Sequence, residues 1–411
     1  MERNRTYAGR WLKDFYNIFI NEMKLIFSDS GVVVIFFVAG LVYPLLYNYI
    51  YKDGLVDEMA VAVVDDSRGT YSRRYIREVD ATRECRIAYD CTDMEEAKDL
   101  MARQKVHGII YIPSDFDDRL MLGEQATLST YADMSTFLYY KNLTLATNLV
   151  MLDEVHKIQA EHYDREGLTA EDALTTIQPL EIGAEIRYNR TIGFTMTLMI
   201  TALMLILQQT MFYGSSMLAG TLREEHRSFA GLTRNLSGFG IGRVVLGRGL
   251  AYLAIYIILG VYGIILVPWL FHLPVHAGWG DLLVLLLFFL VDCLFFCQTW
   301  SVLVTRRETG LVLLLFMSLV ALFVTGFSWP SSNIPAFWKA VSYIFPTTFG
   351  CRAYTNLCNT GSLSSISPQI VAMTVQTVVY YVLACLSAWL DVNVTGVRRR
   401  RESLDSAAEI N

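Results

Sequence analysis

The sequence predicts an α-helical membrane protein of six transmembrane helices, with an α/β domain of mixed sheet inserted between the first and second. Three observations carry that expectation. Of 411 residues, 53% are hydrophobic and 18% charged, whereas soluble domains are nearer a quarter charged. Six apolar stretches reach the length of about 20 residues that a helix needs to cross the hydrocarbon core. The charge is divided: residues 52–189 hold 15 Lys and Arg against 27 Asp and Glu, a balance of −12, while the rest holds 19 against 13, a balance of +6. A basic apolar part joined to an acidic polar part argues against a nucleic-acid binder, which needs a basic face on its folded domain, and against a single soluble enzyme domain.

Residues 1–30 contain an amphipathic stretch from Trp11 to Ser28. A polar stripe of Lys13, Asn17, Asn21, Lys24 and Ser28 opposes an apolar face of Leu12, Phe15, Phe19, Met23 and Ile26, the period of a helix. Such a helix lies in the membrane interface with Trp11, Phe15 and Phe19 among acyl chains; a partner-binding helix has the same pattern. The first span, 31–51, is too long for a signal peptide and reads as uncleaved.

Residues 52–189 alternate strand and helix patterns. The order is a strand at Met59 to Val64, a helix at Tyr71 to Val79, and a strand near Arg86 to Tyr89. Next come a helix at Asp93 to Lys105 with Thr92 and Glu95 in capping-box spacing, a strand at Gly108 to Ile112, and a short helix at Pro113 to Leu122. A strand at Thr127 to Ala132 and a long helix from Ser135 to about Tyr163 complete the domain. This order predicts a small α/β domain.

Residues 190–392 carry the other spans, near Thr191 to Tyr213, Gly249 to Leu270, Asp281 to Val304, Gly310 to Phe327 and Gln369 to Leu390. Between the second and third, 222–236 mixes both charges with Phe229, Leu232 and Leu236, suited to a short helix touching a protein. Between the fifth and sixth, 328–366 is aromatic and marked by Pro330, Pro335, Trp338 and Pro346; a helix at Ile334 to Ile344 is expected to end at Pro346, which lacks a backbone donor. A basic tail, 393–411, follows.

Short loops set the orientation, because Lys and Arg stay on the cytoplasmic side. Arg3, Arg5, Arg10, Lys13 and Lys24 precede the first span. Arg223, Arg227, Arg234 and Arg243 lie between the second and third, Arg306 and Arg307 between the fourth and fifth, and Arg398 to Arg401 after the sixth. Both termini are therefore expected inside and residues 52–189 outside. Cys85 and Cys91 flank one strand and lie about 20 Å apart, beyond bridging; a bridge between Cys351 and Cys358 stays open.

No catalytic site is legible. HExxH, CxxC and nucleophile-elbow motifs are absent, and the pairs Asp65 with Asp66 and Asp117 with Asp118 read as solvated charges at element ends. There is no P-loop: Gly238, Gly240 and Gly242 form a GxGxG in a loop, without the strand that a phosphate cradle requires. Within the spans, Asp292 is costly, at about 2.5 kcal/mol or more. With Gln208 and Gln209 it belongs either to a translocation path or to the structure, as a hydrogen-bonded tie between helices or a neutral acid.

Four segments carry a family resemblance: VAVVDDSRGTYSRRYIREVDA with HGIIYIPSDFDDRLMLGEQA in the inserted domain, Arg187-Tyr188-Asn189 before the second span, LREEHRSFAGLTRN from Leu222, and GFSWPSSNIPAFWKAVSYIFPTT from Gly326. In this order, on six spans, they resemble the permease subunits of type-2 ABC exporters, in the branch with a large extracytoplasmic domain after the first span. The family's Glu-Arg-Gly-Thr run is here Glu225-His226-Arg227-Ser228, and the proline that follows Tyr-Asn is Arg190.

The resemblance implies a path formed by two permeases, a second copy or a paralogue, in the cell inner membrane. It implies no cofactor in this chain, with ATP and magnesium held by a separate ATP-binding subunit. That subunit would couple through Arg223, Glu224, Glu225, Arg227 and Phe229 and dock on the interfacial helix. A periplasmic adaptor protein would be a further partner. An ion-coupled secondary carrier and a membrane receptor with an external sensing domain are the alternatives.

Overall fold

The structure is a computed structural model that describes residues 2–50, 58–165, 194–225, 240–273, 275–326 and 331–408. The chain divides into two compact units, Asp53–Ile186 and the remainder.

The smaller unit is the predicted α/β domain. Its strands are β1 (Met59–Asp65), β2 (Cys85–Cys91), β3 (Gly108–Ile112) and β4 (Ser129–Ala132), in the order β2-β1-β3-β4. Strand β1 runs parallel to β2 and β3, and β4 antiparallel to β3, a mixed sheet. Side chains alternate across a strand, so Val61 and Val63 face one layer and Ala62 and Val64 the other. Helices α3 (Thr70–Asp80), α5 (Phe116–Met121) and α6 (Phe137–Arg165) cover the first face, and α4 (Met94–Ala102) covers the second. Burial on both faces explains why β1 reads as a continuous apolar run.

Two local readings are corrected. The cap of α4 sits one residue later than the pattern suggested: Asp93 accepts from the Glu96 amide at 2.7 Å, and Glu96 reaches back to the Thr92 amide at 3.0 Å. Thr92 and Asp93 are both good cap residues, and the carboxylate wins. Asp117 is not a solvated charge. It is 5% exposed and accepts from the Ser67 hydroxyl at 2.8 Å, the Tyr71 amide at 2.7 Å and the Ser72 amide at 3.1 Å. It thus caps α3 from another element, satisfying orphan amides at the positive end of that helix. Gly69 makes this possible, since a Cβ there would lie 2.1 Å from the Asp117 carboxyl carbon.

Cys85 and Cys91 are unbridged, as expected, and both are buried. Burial, with Glu84 nearby, pushes the Cys85 thiol up to about 12. At pH 8 the thiolate fraction is then on the order of 10⁻⁴, and maleimide labelling of Cys85 is expected to run about a thousandfold slower than in denaturant. Equal rates by mass spectrometry would contradict this.

In the larger unit, α1 (Glu2–Ser28) contains the predicted interfacial helix. Asn17, Asn21, Lys24 and Ser28 are exposed as the stripe required, and Phe15 and Phe19 are half-buried. The apolar face, however, packs on protein, with Ile18 and Ile26 buried against the bundle. Five helices among the described residues are long and apolar enough to cross a membrane. They are α2 (Ser30–Ile50), α8 (Gly240–Leu270), α9 (Trp279–Trp300), α10 (Arg307–Val324) and the segment Leu363–Asp391, which lies mostly in α13 (Ser367–Ala408). A further helix, α7 (Phe194–Glu224), occupies the predicted second span. Gly240 and Gly242 lie inside α8 and not in a loop. Of these five, α9 has 61% of its apolar window buried and α10 18%.

The segment after α10 departs from expectation. Helix α11 (Ala336–Ser342) is shorter than predicted, and Pro346 opens a second helix, α12 (Pro346–Thr360). A proline that cannot continue one helix is pre-organised for the first turn of the next. Cys351 and Cys358 lie on α12 and are unbridged, for seven helical residues separate them by about 10 Å. The same helix repairs a break elsewhere. Pro268 in α8 cannot donate to the Ile264 carbonyl, and the Tyr354 hydroxyl donates to that carbonyl at 2.9 Å.

Candidate functional site

One end of the bundle gathers charged residues far apart in sequence. Asp29, between α1 and α2, caps α2 by accepting from the Gly31 and Val32 amides at 3.0 and 3.3 Å. The Arg307 guanidinium forks onto the same carboxylate, Nη2 to Oδ1 at 2.9 Å and Nη1 to Oδ2 at 3.0 Å. The paired geometry makes this stronger and more directional than a single contact. The Thr221 hydroxyl lies 3.3 Å from both Asp29 Oδ2 and Arg307 Nη1. One turn further along α7, Glu224 accepts from the Arg307 amide at 3.0 Å, placing a carboxylate at the positive end of α10. Gly220 lets the two elements touch: a Cβ there would lie 2.7 Å from the Arg306 carbonyl carbon and the Arg307 nitrogen.

Arg223 works on the other side of α7. Its Nε meets Asp391 Oδ1 of α13 at 3.2 Å, and its Nη1 donates to the carbonyls of Ser301, at 2.6 Å, and Val304. Those carbonyls lie in the turn that ends α9, where a cation is favoured. Arg223 and Asp391 are nearly buried. The residues the sequence nominated for coupling are thus partly committed within the chain: Arg223 and Glu224 tie helices together, and Glu225 is exposed at the end of α7. Arg227 and Phe229 lie outside the described residues, as does Pro330.

A second cluster joins α1 to α8. Arg248 Nη2 meets Glu22 Oε1 at 2.9 Å, and the Tyr252 hydroxyl donates to the same oxygen at 3.1 Å. The side chains of Glu22 and Arg248 are only 3% and 8% exposed. Glu22 lies between Ile18 and Ile26 at steps of four, so the buried face of α1 carries one acid on an otherwise apolar row. That acid, and an arginine within a span, were the overlooked signal: each is costly alone and calls for a partner. The side chains of Trp11 and Lys13 are outside the description.

Deeper in the bundle, Gln208 accepts from the Thr347 amide in the first turn of α12 at 2.9 Å and lies 3.9 Å from the Cys293 thiol. Asp292, the neighbour of Cys293, is fully buried, with no donor to either oxygen among the described residues. Gln209 is half-buried on another side of α7. In the proline-aromatic segment, Pro335 precedes α11 and Trp338 is exposed. The carbonyls of Tyr343 and Ile344 are held by Gln376 of α13 at 3.1 Å each, and that of Ile344 also by Tyr380.

The comparison with known families says what this bundle belongs to. The family model for an ABC-2 family transporter protein matches residues 31–386. The chain belongs to the ABC-2 transporter family. As a member it is a multi-pass membrane protein of the permease kind, a class that generally works with an ATP-binding subunit and carries no ATPase site of its own. The match runs from α2 into the first half of α13 and includes the whole α/β domain. A search of curated proteins gives no match.

Proposed function

We propose that this chain is the membrane-spanning subunit of an ABC-2 exporter in the cell inner membrane. Six spans, α7 included, would form half of a translocation path, with a second copy or a paralogous permease as the other half. A separate ATP-binding subunit holds ATP and magnesium. Lys and Arg in the short loops support cytoplasmic termini and an external position for 52–189.

The observation that carries the reading is the junction around Asp29. Residues 221–225, which the charge pattern assigns to the cytoplasmic face, lie in one network with the starts of α2 and α10, the end of α9 and Asp391 of α13. A push on α1 or on 222–236 by a closing ATPase would move these helices as one body, the rigid-body route to outward opening. The contact of Gln208 with α12 would shear in that motion.

The test is a Glu224→Ala, Glu225→Ala double variant, assayed with its ATPase partner in proteoliposomes. The expected result is a loss of about tenfold or more in transport-stimulated ATPase activity and export, with the partner still co-purifying. Wild-type export and stimulation by the double variant would remove these residues from coupling.

A further inference from the structure

The α/β domain carries a feature that transport does not require. A groove of about 960 Å3 opens at the carboxyl ends of β1 and β2, bounded by Asp65 on one strand and Asp90, Cys91 and Thr92 on the other, with Thr70 of α3 at its side. The size is that of a small-molecule site. Arg68, Arg73 and Arg77 also line it, all three exposed.

These arginines are anomalous for their surroundings. The segment has 27 acidic residues, and Arg74, Arg86, Arg103 and Arg119 each pair with a carboxylate. Arg68, Arg73 and Arg77 have no carboxylate partner among the described residues. Arg73 and Arg77 are four apart on one helix, an arrangement of like charges that is unfavourable unless something anionic lies between them. Arg68 has a φ of 52°, an unfavourable conformation for a side-chain-bearing residue, and its amide is held by Asp65 Oδ1 at 2.9 Å.

The acids at the groove do not neutralise the cluster. Asp65 is occupied by the Ser67 and Arg68 amides and the Ser72 hydroxyl, and Asp90, the other acid on the groove wall, makes no ion pair with these arginines among the described residues. The amides at the start of α3 are already taken by Asp117, so recognition falls to the guanidinium groups. Their planar forks suit phosphate oxygens, with the hydroxyl of Thr70 at the side of the groove as a further donor.

We propose that this groove binds a phosphate-bearing anionic ligand through Arg68, Arg73 and Arg77. The inference stands apart from the transport reading, since the groove belongs wholly to the α/β unit. The ligand is either a free phosphate compound or the headgroup of an anionic lipid.

Two measurements on the purified full chain separate these sources: calorimetric titration with inorganic pyrophosphate in detergent, and native mass spectrometry after addition of phosphatidylglycerol or phosphatidylcholine. The comparison is wild type against an Arg73→Gln, Arg77→Gln variant, whose exposed substitutions leave the core intact. A free phosphate ligand shows as pyrophosphate binding that weakens tenfold or more in the variant. A headgroup ligand shows as one fewer phosphatidylglycerol retained by the variant, with phosphatidylcholine unchanged. If wild type and variant match in both measurements, or if an Arg103→Gln control loses as much, the proposal is wrong.

Discussion

Replacing Arg248 with alanine is expected to destabilise the protein by about 3–5 kcal/mol, the cost of stranding one member of a buried ion pair. Glu22 would stay between Ile18 and Ile26 at 2% exposure, with only the Tyr252 hydroxyl to answer its charge. It must then take up a proton or admit water, and α1 loosens from α8 in either case. A Glu22→Met, Arg248→Met double variant should recover most of the loss, because removing both charges also removes their desolvation penalty. Thermal unfolding in detergent measures the cycle: the double variant is expected to melt above either single one, and strictly additive losses would mean the two groups are not coupled.

Gly220→Ala is the second large effect. The added methyl would lie 2.7 Å from backbone atoms of Arg306 and Arg307, and backbone cannot rotate away as a side chain can. Overpacking of this kind costs about 1–3 kcal/mol. The functional loss should be larger, for lifting the start of α10 off α7 breaks the Glu224 contact and misaligns the Arg307 fork on Asp29. At least a tenfold drop in export is expected at equal protein level. Gly280→Ala is the control, since a Cβ there meets nothing within 4 Å. A Gly220→Ala protein with wild-type melting and export would show that the two elements are not in close contact during transport.

The pattern of the chain disclosed local structure well and long-range partners poorly. The strands of the α/β domain and the apolar spans were legible because each is written in a period of 2 or 3.6, or in a long apolar run. Glu22 and Arg248, and Asp29 and Arg307, were not: periodicity reports which face a residue occupies, not what lies opposite it. Asp29 and Arg307 are 278 positions apart. Asp117 looks solvated in the sequence for the same reason, since its partners Tyr71 and Ser72 belong to another element. Helix α12 was hidden because Pro346 both ends and begins helices, and only the stop was read. Arg223 and Glu224 were found by charge and position, but their partners at Asp391 and Arg307 came from the fold.

The cap that Asp117 places on α3 has a consequence for synthesis. The carboxylate and the amide it serves are 46 residues apart, a separation the ribosome takes roughly 2–9 s to cover. Until then the first turn of α3 has orphan amides and a glycine at its entrance, both unfavourable to an isolated 11-residue helix. The β1-α3-β2 half is therefore expected to stay unfinished until α5 arrives, so the domain matures as one late cooperative step and not strand by strand. Truncation before Asp117 should leave a chain open to proteolysis throughout this region, and extension past it should close α3 and β1 together.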